Sequence, residues 1–451
     1  MTADDYVELE LEDEIDEEED VPDEPPAFAN LPDGRALVLR GSEAGRVLPE
    51  AVEAARAVEG VRSREDALAG RVPLFLNQSS HKYFGREPEV LAALHADYGE
   101  NLALGRIVRL NRYSAAIARE RLDVPIVSIR IADPMGYTAF GDRLVIEAAL
   151  PKPRHLERCP YLGELRKTPD HYAEDVLGAQ RAAGANLLLT TGRGVGAADV
   201  AGAFSEISDE ADEMFAHLED GEHLALNLTL PYEFLQNQAV FDDVMAELSE
   251  LDQFDVVYVR IQRPAPNDAG APLADAAALR RMFEFGVWAD REDVALLHAQ
   301  TGLTGWLMLA SGAVGFSTGG LPSDQTFVRQ TSSGGGGLPP LERHFERSIL
   351  HTVASATHDA LVATGAPYRE FPTRWGNDAL AATPYDQALS AAHSLYSVGA
   401  LTAETIPSAT RRGGWSAGIH SKVHDAHSAA PSLGLGGRES PTHLGSWISV
   451  V

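Results

Sequence analysis

The sequence predicts an α/β protein built as a (β/α)8 TIM-like barrel, and three observations carry that expectation. Short apolar, β-branched runs recur eight times. Helical stretches separate them, and the series occupies about 285 residues, the size of one such barrel. Alternation at this spacing implies right-handed parallel crossovers. An open doubly wound sheet would want a G-x-G-x-x-G turn after its first strand, and ALVLRGSEAGR does not supply one.

The elements follow in order. ALVLR, residues 36–40, reads as the first strand, and residues 48–59 as a helix. VPLFLNQ (72–78) is the second strand, followed by a helix opening at Pro88. A helical connection at 112–122 leads to VPIVSIRI (124–131), apolar on both faces as a covered parallel strand should be. An irregular insertion, 132–169, interrupts the pattern. Helices at 170–183, 197–218, 236–251, 272–288 and 302–310 then alternate with strands at 186–191, 223–230, 254–262, 293–300 and 313–317.

Four segments divide the chain: an acidic disordered tail (1–30), the barrel (31–330), a C-terminal helical cap (331–408) after a Gly-rich linker, and an irregular end (409–451). Residues 1–25 hold 14 of the 67 acidic residues and no basic one, so about half of the net charge of −30 sits there. Such a block repels itself and cannot bury apolar surface. It reads as a solubilising extension or as a docking tail for a basic protein partner. Gly334 to Gly337 mark the linker, and helices are expected at 341–364 and 385–398. The extension is thus expected to be helical and then irregular.

An acidic body argues against broad nucleic-acid binding and against anionic membranes. The single cysteine, Cys159, excludes an internal disulfide and any cysteine-based metal cluster. No signal peptide and no apolar stretch of membrane-spanning length is found, so a cytoplasmic location is expected.

In a barrel, chemistry gathers on the loops that follow the strands. Five cations fall at or just past predicted strand ends: Lys82, Arg130, Arg193, Arg260 and Arg263. Charges there are costly unless paired or wetted, so the set points to a mouth that attracts a small phosphate- or carboxylate-bearing molecule. Gln262 joins them. In AVGFSTGG, the residues Ser317, Thr318, Gly319 and Gly320 sit where barrels often hold a phosphate on main-chain N–H groups. Glu233 and His298, on loops five and seven, are the candidates for proton transfer, with Asp133 as a further carboxylate. No HExxH, GxSxG or GxxxxGK[ST] segment occurs, and no cofactor is implied. His344, His351 and His358 are spaced by seven and would share one face of a helix. His420, His424 and His427 are close enough to hold a metal if helical, but lie in a stretch expected to be irregular.

The string GFSTGGL resembles the Gly-Gly-Leu base-binding loop of tRNA-guanine transglycosylases, which are also (β/α)8 barrels. The likeness covers seven residues. The chain lacks the Asp-Ser-Gly-Gly-Phe-Gln and Asp-Met-Phe-Asp segments and the zinc cysteines of that family, so no residue roles carry over. It implies nucleobase exchange as one alternative. The leading expectation is acid–base transfer or hydrolysis of an anionic, phosphorylated or nucleotide-like substrate. A non-catalytic barrel that assembles partners through its tails is the other alternative.

Overall fold

The barrel is present. A computed structural model describes residues 60–79, 86–144, 151, 153–263, 271–320, 322–328, 343–364, 386–405, 412 and 414–451, and the main chain of 27–30 and 36–39. Its strands are β1 (Ala27–Asn30), β2 (Ala36–Leu39), β3 (Leu74–Gln78), β4 (Ala103–Arg109), β5 (Ile129–Asp133), β6 (Leu188–Leu189), β7 (Leu224–Leu230), β8 (Val256–Ile261), β9 (Ala295–Ala299), β10 (Gly315–Thr318), β11 (Arg343–Glu346) and β12 (His351–Ala354). Eight of them, β3 to β10, form one parallel sheet in the order β5-β4-β3-β10-β9-β8-β7-β6. The ends of that order nearly meet: the Asn186 and Leu187 amides donate to the Arg130 carbonyl at 3.0 and 3.3 Å.

Two expectations about the strands are corrected. Residues 36–39 are not in the barrel; β2 pairs antiparallel with β1 in a separate two-stranded sheet. The barrel instead takes in β4, a strand the sequence reading did not contain. The count stays at eight because one error offsets the other, and strands three to eight keep their expected numbers.

Strand alternation sorts side chains into two cores. Leu74, Leu76, Ile107, Ile131, Leu189, Tyr258 and Leu297 fill the lumen. Phe75, Leu104, Val108, Leu226, Leu228, Val257, Val259 and Phe316 point outward against the helices. The shell helices begin where the chain supplies side-chain caps: Ser114 accepts from the Ile117 amide, Asp199 from Gly202, and Asp275 from Ala277 and Ala278.

The C-terminal extension departs from expectation in two places. Residues 341–364 are not one helix: β11 and β12 form an antiparallel pair, turned at Leu350 with φ +49°, and a helix covers only Ser355–Thr364. The final segment is ordered, with helices at Ser416–Ala429 and His443–Ile448 that bury Trp415, Ile419, Val423 and Trp447 in the main core. The helix Gln387–Thr405 seats this extension on the barrel. There Tyr98 donates to Glu404 at 2.8 Å, and the Trp306 indole donates to Thr405 at 3.2 Å. Among the described residues no helix is long and apolar enough to cross a membrane. Residues 1–26 of the acidic tail, the helix expected at 48–59, the glycine linker and Lys82 lie outside the described residues, whereas 27–30, the end of the expected tail, form β1.

Candidate functional site

The C-terminal end of the lumen is polar, and its register shows why. Arg109 pairs with Asp133, Thr229 with Arg260, and Arg260 with Ala299, so all of these face inward at similar height. Arg260 is completely buried. Its Nη2 is ion-paired with Asp133, its Nε donates to Gln300 Oε1 at 2.7 Å, and its Nη1 to Thr229 Oγ1 at 3.2 Å. Aromatic rings hold the guanidinium plane: Tyr137 at 4.8 Å, Tyr258 at 5.7 Å and Phe327 at 5.8 Å from ring centre to Cζ. Burial works against the Arg260 charge, but Asp133 and the two tyrosines outweigh it and raise its pKa above the ordinary value.

Two strained residues complete this network. Met135 (φ +59°) gives its amide to Asp133 Oδ1 at 2.9 Å, and Gln300 (φ +50°) gives its amide to Ser317 Oγ at 2.7 Å. Side chains avoid this region of φ, and such positions persist where their surroundings over-determine them. A lid closes the mouth. Met135, Tyr137, Leu144 and Phe327 form one apolar cluster, in which the Tyr137 and Phe327 rings meet edge-on at 5.1 Å. Gln262 donates to the Leu144 carbonyl at 2.8 Å, and the Arg263 amide to the Phe327 carbonyl at 2.8 Å, so β8 fastens both lid segments.

Under that lid several polar atoms have no hydrogen-bond partner among the described residues. They are both side-chain atoms of Gln78, the Tyr258 hydroxyl, Gln262 Oε1 and Arg109 Nε. Each buried group of this kind costs about 1–3 kcal/mol when unpaired. Charge is balanced there, because Arg109 pairs with Asp324 at 3.1 Å as Arg260 does with Asp133. The layer is therefore shaped for hydrogen bonding, not for net charge. The Tyr258 hydroxyl is held protonated, its pKa raised first by burial and then by Asp133, so it is a donor at any ordinary pH.

The other residues singled out from the sequence disperse. Arg130 is on the outer face of β5 and donates to the Gly184 carbonyl at 3.1 Å, a tie within the scaffold and not a mouth contact. Arg263 is buried and donates to the carbonyls of Ala271 and Thr301 at 3.5 and 3.3 Å; burial pushes its pKa down to about 10. His298 faces outward against Phe285, with ring centres 6.3 Å apart. Neither of its nitrogens is hydrogen-bonded among the described residues, so no bond joins it to Glu233. Burial and then Arg263 push its pKa down to about 3, and it stays neutral. Glu233 opens the short helix Glu233–Gln236 after β7. Gly319 packs on its own chain: a Cβ there would come 2.5 Å from Asp324 Cβ and 3.0 Å from the Gln78 carbonyl. The cavity beside Thr318 and Gly319 is about 30 Å³, room for little more than a water or two. The side chain of Asp324 packs beside Gly319 and carries its carboxylate to Arg109.

Arg193 belongs to a second place on the same rim. It donates to Glu206 at 2.8 Å, to the Tyr172 hydroxyl at 2.7 Å, to Glu210 at 3.3 Å and to the Leu165 carbonyl at 3.2 Å. It lines an open groove of about 440 Å³. Thus Asp133, Arg260, Gln262 and Ser317 come together, and Arg109, Tyr137, Thr229, Tyr258, Gln300 and Phe327 join them. Among the described residues no group of His, Cys, Asp and Glu is placed to hold a metal ion. Comparison with family models, curated proteins and solved structures finds no match to this chain.

Proposed function

We propose that the chain is a barrel enzyme that carries out acid–base transfer or hydrolysis on a small polar substrate at the lidded mouth. Asp133 is the proton carrier, Arg260 fixes its orientation, and Tyr258, Gln78 and Gln262 supply hydrogen bonds. The observation that supports this most is the set of buried, unpartnered polar atoms gathered beside an Asp–Arg pair whose partners include the strained Met135 and Gln300. A barrel whose end served only packing would have filled that layer with apolar side chains. Perturbed, desolvated groups in one concavity are the usual mark of a reactive site.

The test is a panel of ester, phosphoester, glycoside and nucleoside substrates assayed with the wild type, D133N and Y258F. Removing a proton carrier costs about 10²–10⁴ in kcat. Any activity that D133N retains at the wild-type rate would overturn the assignment.

A further inference from the structure

The groove around Arg193 is built differently from the mouth. Its walls come from the insertion after β5 and from the segment after β6, both on the C-terminal rim. Arg143, Arg166, Lys167 and Arg193 line it, against the carboxylates of Glu206 and Asp209. Among the side chains that line the groove itself, cations outnumber carboxylates by four to two, in a chain whose net charge is −30. Phe140 lies at its base and organises the arginines: the Cζ atoms of Arg193, Arg143 and Arg166 sit 4.5, 4.9 and 5.4 Å from its ring centre. Three guanidinium groups thus lie within cation–π distance of one ring.

From this geometry we infer that the groove is a binding site for a phosphate group carrying two negative charges, on a small molecule or free. The match is one of charge, shape and position. The volume suits a ligand the size of a phosphorylated metabolite. Arginine forks pair bidentately with phosphate oxygens, and the Lys167 ammonium adds a point charge. Most of the existing partners are weak competitors. Arg166 pairs with Asp142, and Lys167 with Glu164, in exposed positions where such pairs contribute little. Arg143 and Arg193 share the carboxylate of Glu206, and Arg193 also meets Glu210 at 3.3 Å. A second observation points the same way: Arg193, 4% exposed at its side chain, keeps a buried Nε with no hydrogen-bond partner among the described residues. This inference stands apart from the catalytic reading of the mouth, because no residue of the Asp133–Arg260 network lines the groove.

Isothermal titration of the full chain with inorganic phosphate and with phenyl phosphate, at constant ionic strength set by sodium chloride, tests it. The double variant R166A/K167A removes two exposed cations, and its melting temperature reports that the fold is kept. Binding of either anion to the wild type, weakened about tenfold or more in the double variant, is the expected result. Equal affinity in wild type and double variant overturns the proposal, as does the absence of binding of both anions to the wild type.

Discussion

Gly319 illustrates how a local sequence feature acquires its meaning only from its neighbours. A Gly-Gly pair after a strand suggests main chain approaching a ligand, and main chain does approach something there, the Gln78 carbonyl and the side chain of Asp324 on the short helix Pro322–Gln325. Adding one methyl group should force that helix away and break the Arg109–Asp324 pair. G319A is expected to lose about 1–3 kcal/mol in urea denaturation. Unchanged stability would mean that the loop is not packed as described. At the same scale, Arg260 and Asp133 were legible because each sits at a strand end. Tyr258 was not, since an aromatic residue inside VVYVRI reads as ordinary core; its burial is real, and only its unpartnered hydroxyl marks it.

At the scale of elements, the alternation of strand and helix was readable wherever β-branched runs lie between helices with clear caps. It failed at β4. In ALGRIVR the lumen face is Ala103, Gly105, Ile107 and Arg109, while the outer face holds Arg106, and two arginines obscured the period of two. Arg106 is nonetheless fully buried, paired with Glu87 at 2.8 Å, a compensation that lies on another element and is invisible to a local reading. E87A should therefore remove the carboxylate facing a buried guanidinium and cost about 3–5 kcal/mol, measured by denaturant unfolding; a loss below 1 kcal/mol would contradict the pair's importance. The histidines at spacing seven misled in the opposite way. Their period fits a helix, but Leu350 at φ +49° turns the chain, so His344 and His351 stand on opposite strands of a pair and His358 on the following helix.

That pair of strands gives the whole molecule a dependence on acidity. Burial, with His358 beside it, pushes His344 down to about 4, against a smaller opposing pull from Asp359. His393 falls to about 4 for the same first reason, with His344 and His358 adding to it and the Phe345 carbonyl resisting. His443 falls to about 3 through burial and His351, the Leu350 carbonyl resisting. A histidine whose folded pKa is depressed contributes fully above its unfolded value of about 6.5. As pH falls below that, the unfolded chain takes up protons that the fold refuses, and stability drops until the folded value is reached. The melting temperature should thus decline between about pH 6.5 and 4, with a shallower slope in H393Q. An identical slope in that variant would remove His393 from the account.

The barrel also has a seam. Between β5 and β6 the strands share little regular pairing, and one side chain stitches them: Asn186 accepts from the Arg130 amide at 2.7 Å and donates to the Ser128 carbonyl at 2.9 Å. A cylinder held by continuous ladders elsewhere will part first along its least-laced edge. Deuteration should therefore reach the seam amides of Arg130, Asn186 and Leu187 ahead of those in the other barrel strands, and N186A should hasten it at Arg130 while leaving the exchange of β8 and β9 untouched.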